Sequence, residues 1–288
     1  MFKKLFMMWI GVLMGTGFIQ SGYAQEKIIW PYISHYPVFI CEGEKLTGGI
    51  GLDIYKTLWA NMPAYEHKFI ILPIKRTIED MKNGEHYLFY GLYKTPEREA
   101  ILHFSIPCRI SPPAMFVIRK DELKNFGGDA PVSLREILKN KNLRFLKFSS
   151  VSFGVEMDKI VKEFENEKHV YTEHRTDDMI VFSLELLLRK RVDYFASLNG
   201  TVFKAKELGI LDQITLIPIK ERMDYEVGYI TAPKNEWGKL MIEKVNAILR
   251  KEIPSEKFFN FFKPLLPEDK LPELRKQYEE HILKPAKE

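Results

Sequence analysis

The chain has 288 residues, 43 lysines and arginines against 39 acids, and a formal net charge of +4 with 45% hydrophobic content. That length and composition fit a globular protein of one large or two modest domains. The charged residues are interspersed rather than clustered, which excludes a nucleic-acid-binding surface.

Residues 1–24 read as a targeting leader. Lys3 and Lys4 form a charged start, and 5–19 an apolar stretch shorter than the ~20 residues of a membrane-spanning helix. Gly22-Tyr23-Ala24 supplies a small-residue cleavage site, and no cysteine stands there to take a lipid anchor. Cleavage after Ala24 predicts a soluble, secreted, periplasmic protein that begins at Gln25.

From there, short β-branched runs alternate with helical periods. Segment 27–32 predicts a strand; the loop after it carries Tyr36, suited to stacking over a ligand, and Phe39, suited to packing beneath the loop. Gly48-Gly49-Ile50-Gly51 is a turn into a helix with Asp53 at its start and Ile54, Tyr55, Leu58 and Trp59 on one face. Ile54 stands where a dinucleotide fingerprint needs its third glycine, so that reading fails. A strand at 69–73 and a short helix at 77–82 follow, with Arg76 either a cleft cation or the surface partner of Glu79 or Asp80.

Segment 87–92 is the next strand, and 91–107 carries the most information in the chain. Thr95 is the expected N-cap, Pro96 suits the first helical position, and Glu97 favours the positive helix end. This puts the fixed cation of Arg98 beside a strand end, where it can hold a carboxylate by a bidentate pair. The competing reading pairs Arg98 with Glu97 or Glu99. Tyr93 and Lys94 lie on the same loop and would contribute at the rim.

A second set follows Pro112-Pro113: a strand at 143–148, helices at 155–165, 177–191 and 201–208, and strands at 192–196, 214–219 and 227–231. An amphipathic helix at 235–251 and a packed helix at 258–262 complete it. The loop 149–154 enters a helix with free N–H groups, so Ser149 and Ser152 are either ligand contacts or ordinary caps. Such alternation implies an α/β fold with ligand sites at strand C-termini. Cys41 and Cys108 both fall in the first set, and a disulfide and two free thiols stay open. His169 and His174 face different sides at their i,i+5 spacing, and no metal or other cofactor is expected.

The Thr95-x-x-Arg98…Phe104-Ser105-x-Pro107 pattern, the glycine turn ending in Asp53, and Arg191-Val192-Asp193 together resemble family 3 of the periplasmic solute-binding proteins, in a divergent branch. That resemblance implies a two-lobed type II periplasmic binding protein fold. Each lobe is a mixed, mainly parallel sheet flanked by helices, and the chain crosses the hinge twice. Lobe 1 would be 25–117 plus 225–265, lobe 2 118–224, and 266–288 a helical tail, with crossings near 114–119 and 219–228. It further implies a ligand-binding set of Arg98, Tyr36, Tyr93, Thr95, Arg76, Ser149 and Ser152. A monomer would pass a small solute to an ABC permease, or alternatively to a membrane receptor. A dehydratase-like enzyme on the same fold would need a carboxylate acid in the cleft, with Glu156 and Glu173 the candidates. One departure bears on the ligand: Leu198 stands where the family places the acid that receives an α-ammonium. The expected solute is therefore a small anionic or aromatic carboxylate, or a capped peptide-like compound, rather than a free polar amino acid.

Overall fold

The computed structural model describes residues 25–43, 45–149, 151–175, 178–198, 200–266 and 268–288, so the expected leader at 1–24 lies outside the described residues. The first unit holds β1 (Lys27–Tyr32), β2 (Ile40–Glu42), β3 (Lys45–Gly48), α1 (Ile50–Ala60), β4 (Glu66–Ile71), α2 (Ile74–Lys82), β5 (Phe89–Leu92), α3 (Pro96–Glu99) and β6 (Leu102–Ser111). The second holds β7 (Met115–Arg119), α4 (Leu134–Lys139), β8 (Phe145–Phe148), α5 (Val155–Glu163), β9 (Val170–Glu173), α6 (Met179–Leu188), β10 (Tyr194–Ala196), α7 (Thr201–Glu207) and β11 (Ile214–Pro218). The chain then returns to the first unit as β12 (Glu226–Pro233), α8 (Glu236–Glu252), α9 (Glu256–Asn260), α10 (Leu271–Tyr278) and α11 (Lys284–Lys287).

The second unit is a five-stranded sheet in the order β11-β7-β10-β8-β9. Its β10, β8 and β9 run parallel, whereas β7 lies antiparallel to both β10 and β11. In the first unit β1 pairs with β4 in parallel, and a parallel bridge from Ile29 to Tyr87 leads toward the antiparallel trio β5-β12-β6. Outside the β2-β3 hairpin, the antiparallel pairings thus arise where the chain enters or leaves a unit. Pro107 sits within β6, at a register shift and on the edge of the trio, where a missing N–H costs no interior ladder bond.

Two apolar cores fall on either side of the crossings at 112–114 and 219–225. The first gathers Trp30, Tyr55, Leu58 and Cys108 with Met241, Val245 and Phe262 from the returning chain. It also takes Leu274, Tyr278, Ile282 and Ala286, buried at every fourth position of the tail. Tyr278 donates to the Ile253 carbonyl at 2.7 Å and packs on Phe259 and Phe262. The second core centres on Tyr194, ringed by Phe116, Phe126 and Phe145. Cys41 and Cys108 are both free thiols, and burial pushes the Cys108 thiol up to about 12. None of the described helices is long and apolar enough to cross a membrane.

Asp193, just before β10, ties the second unit together. Its carboxylate accepts from the backbone N–H of Arg144 at 2.8 Å, from Arg144 Nε at 2.9 Å and Nη2 at 3.0 Å, and from Arg119 Nη2 at 3.3 Å. Burial alone would raise its pKa, but these bonds outweigh burial and hold it below the usual carboxylate value. A depressed folded pKa contributes stability above the unfolded value of about 3.9, and that contribution is lost as pH falls through the folded value. Asp193→Ala, which leaves Arg119 buried without this partner, should lower unfolding free energy by about 3–5 kcal/mol at pH 7. The deficit should shrink as pH drops below about 4, which urea titrations at several pH values would measure.

Helix α8 lies close over the returning strand. Asn235 caps it by accepting from Gly238 N–H at 2.8 Å, and a Cβ on Gly238 would fall 1.9 Å from the Pro233 carbonyl oxygen. That neighbour is backbone and cannot rotate away. Gly238→Ala should therefore cost about 1–3 kcal/mol by overpacking, despite alanine's better helix propensity. Denaturant midpoints of the two proteins would check it.

Candidate functional site

The site starts where β5 ends. Gly91 has φ +97, a left-handed conformation that a side chain resists, and Tyr93 follows the strand. Thr95 then caps α3, its hydroxyl accepting from Arg98 N–H at 3.3 Å, and Pro96 occupies the first turn. The guanidinium of Arg98 folds back to donate from Nη1 to the Tyr93 carbonyl at 2.9 Å. Burial lowers its pKa, though an arginine stays charged at neutral pH.

Two further arginines converge on the same loop. Arg109, from β6, donates to the Gly91 carbonyl at 2.7 Å, and its guanidinium carbon lies 5.5 Å from the Tyr93 ring centroid. Arg222 comes from the second crossing, also 5.5 Å from that centroid. It donates to the Phe153 carbonyl at 3.0 Å and to the Tyr93 hydroxyl at 3.3 Å, with Glu226 Oε1 3.1 Å from its Nε. Burial pushes the Tyr93 phenol up, but the Arg109 and Arg222 charges outweigh it and bring the pKa below the usual value. Burial, against the pull of Arg222, raises that of Glu226.

These groups border a cavity of about 530 Å³ between the two cores. Arg98, Arg109, Arg222, Tyr90 and Tyr93 line one side, and Val151, Ser152, Phe153, Leu198 and Thr201 the other. His35 lies on the wall with partial solvent exposure; burial and the Arg109 charge lower its pKa to about 4, so it is neutral at pH 7. The size suits a small organic ligand.

Of the sequence-predicted set, Arg98, Tyr93 and Ser152 line this cavity. Thr95 acts as the cap that fixes Arg98. Tyr36 lies elsewhere: its ring packs on Gly200 of the second unit, where a Cβ would meet it at 2.5 Å, and it borders a different depression with Asp53 and Lys257. Arg76 is exposed and pairs with Asp80 at 2.7 Å, the surface alternative of the sequence reading. Ser149 bonds His174 Nδ1 at 3.0 Å and does not line the cavity.

The seat expected for an anion at 149–154 holds the chain's own carboxylates. Asp158 accepts from the Ser152 hydroxyl and from Phe153 N–H at 2.9 Å, while Glu226 Oε1 lies 2.3 Å from where a Cβ of Gly154 would be. The start of α5 is thereby already neutralised. Leu198, in the position of the family's acid, lines the cavity and is buried. Glu156 and Glu173, the candidate general acids, do not line it.

Sequence reasoning missed Arg109, Arg222, Tyr90 and Glu226. Arg109 gave a faint signal as a lone cation after Pro107-Cys108, but Arg222 sits in Lys220-Glu221-Arg222, which reads as a solvated charge run.

No protein-family model and no curated protein matches the chain. Solved structures do. The arginine-, lysine-, histidine-binding protein ArtJ of Geobacillus stearothermophilus is 16% identical, with 86% of this chain and 99% of that one covered at a TM-score of 0.63. A structure from work on glutathione import via GshT and the cystine ABC importer TcyBC of Streptococcus mutans is 17% identical, covering 86% and 99% at a TM-score of 0.65. An ancestral amino-acid-binding protein, AncCDT-1, a precursor of cyclohexadienyl dehydratase, is 13% identical, covering 84% and 96% at a TM-score of 0.63. At such identities the likeness speaks for architecture, and the chain has the two-lobed type II periplasmic binding protein fold.

Proposed function

We propose that the protein is an extracytoplasmic solute-binding protein that captures a small carboxylate-bearing solute between its two units, and delivers it to an ABC importer permease. The observation that carries this reading is the 530 Å³ cavity between the two cores, with Arg98 capped into place at its edge. A guanidinium with its own backbone anchor and a second face free offers a preformed fork for a carboxylate, so little entropy is lost on binding. The likeness to an arginine-, lysine-, histidine-binding protein and to a structure from work on glutathione import supports capture over catalysis.

Specificity departs from that of amino-acid binders. Leu198 lines the cavity where an acid would meet an α-ammonium, and Glu226 is engaged by Arg222. An ammonium desolvated there would lack its partner at a cost of several kcal/mol, enough to turn micromolar affinity into millimolar. Closure of the lobes around the solute would bring Val151–Phe153 against it.

A thermal-shift panel of carboxylates and the twenty amino acids, on protein beginning at Gln25, should select carboxylates. In calorimetric titration of the selected solute, Arg98→Ala should lose about 3–5 kcal/mol, and Arg98→Lys should recover part of it. Undiminished binding by Arg98→Ala, or submicromolar binding of a free amino acid, would overturn the assignment.

A further inference from the structure

Three arginines, Arg98, Arg109 and Arg222, line this cavity with Asp158 and Glu226 close by, and they are not equally committed. Asp158 is taken up by Ser152 and the Phe153 N–H, and Glu226 and Arg222 pair with each other. Arg98 and Arg109 remain. Both line the cavity, and among the described residues each guanidinium is held by a backbone carbonyl with no carboxylate within ion-pair distance. Asp158 and Glu226 act on these two cations only from beyond ion-pair distance, so each guanidinium keeps donors that an anionic ligand group could take up.

Arg109 is also a built feature. A Cβ on Gly91 would fall 2.9 Å from its Nη1, and one on Gly228 would fall 3.1 Å from its Cδ. Two neighbouring strands thus lack side chains where the arginine passes. Beside it stands Tyr90, which lines the cavity and whose buried hydroxyl has no hydrogen-bond partner among the described residues. The Arg109 charge acts on both Tyr90 and the neutral His35, so the three lie together. A buried donor without an acceptor is costly, and an anionic oxygen would satisfy it.

The spacing is set by the backbone. Arg98 hangs on the Tyr93 carbonyl and Arg109 on that of Gly91, two residues apart and so separated by no more than about 7 Å along the chain. We propose that Arg109 and the Tyr90 hydroxyl form a second anion subsite beside Arg98, and that the solute is a short dicarboxylate bridging the two. This rests on the solute-binding reading above and names the class of solute that the reading leaves open.

The test is calorimetric titration of the protein from Gln25 onward with succinate, glutarate and adipate, each against the monocarboxylate of equal chain length. At least one dicarboxylate should bind tenfold or more tightly than its monocarboxylate. Arg109→Gln should bring that ratio to near one. Tyr90→Phe, which keeps the ring packing, should lower the ratio as well, and so serves if Arg109→Gln does not fold. A ratio near one in the wild type, or one that survives both substitutions, overturns the second subsite and leaves the carboxylate reading intact. Failure of every mono- and dicarboxylate to bind overturns both.

Discussion

The guanidinium of Arg222 is the tie on which the site's geometry depends. It sits in the second crossing and reaches both units at once, donating to the Phe153 carbonyl on one side and the Tyr93 hydroxyl on the other. Glu226 beside it keeps the charge balanced inside a partly buried wall. Because Tyr93 is also the residue whose carbonyl anchors Arg98, one arginine in the hinge region sets how far the second unit stands from Arg98. Tyr36 against Gly200 makes a second contact between the units, away from the cavity.

The two cores make this arrangement rigid where it must be and free where it must move. Each sheet buries its own aromatic cluster, so the units behave as solid bodies. Few segments join them, at 112–114 and 219–225, and only there can the backbone absorb a change in angle. The returning strand β12 sits between β5 and β6, and so sets Arg109 on β6 across from its carbonyl anchor at Gly91 on β5. The chain could not build this floor from its first hundred residues alone.

What was legible in the sequence was local. Thr95-Pro96-Glu97-Arg98 encodes a cap, a first helical residue and an arginine within one turn, and the structure has that turn. Arg109 was not legible, because its position depends on glycines at 91 and 228 that are far apart in the chain and adjacent only across three paired strands. The tail shows the same limit. The sequence reading set it apart from lobe 1 as a helical tail, whereas its regularly spaced positions 274, 278, 282 and 286 are buried in the first core. Pro272 lies in the first turn of α10, where its missing N–H costs nothing, and Pro285 follows closely on a π-helical turn at Glu279–Leu283. Strand β6 was overlooked for a similar reason, since Pro107 argues against an interior strand but not against an edge. Tyr36 had the right chemistry for a ligand platform, and only the tertiary structure reveals that its ring is used against Gly200.

The central claim is that a solute is held between the two units by Arg98 with the second unit closing over it. A crystal structure of the protein with the solute that the thermal-shift panel selects tests it most directly. The account predicts a carboxylate paired with Arg98 and further contacts from Val151–Phe153 in the second unit. A solute bound outside the cavity, or touching one unit alone, would contradict it.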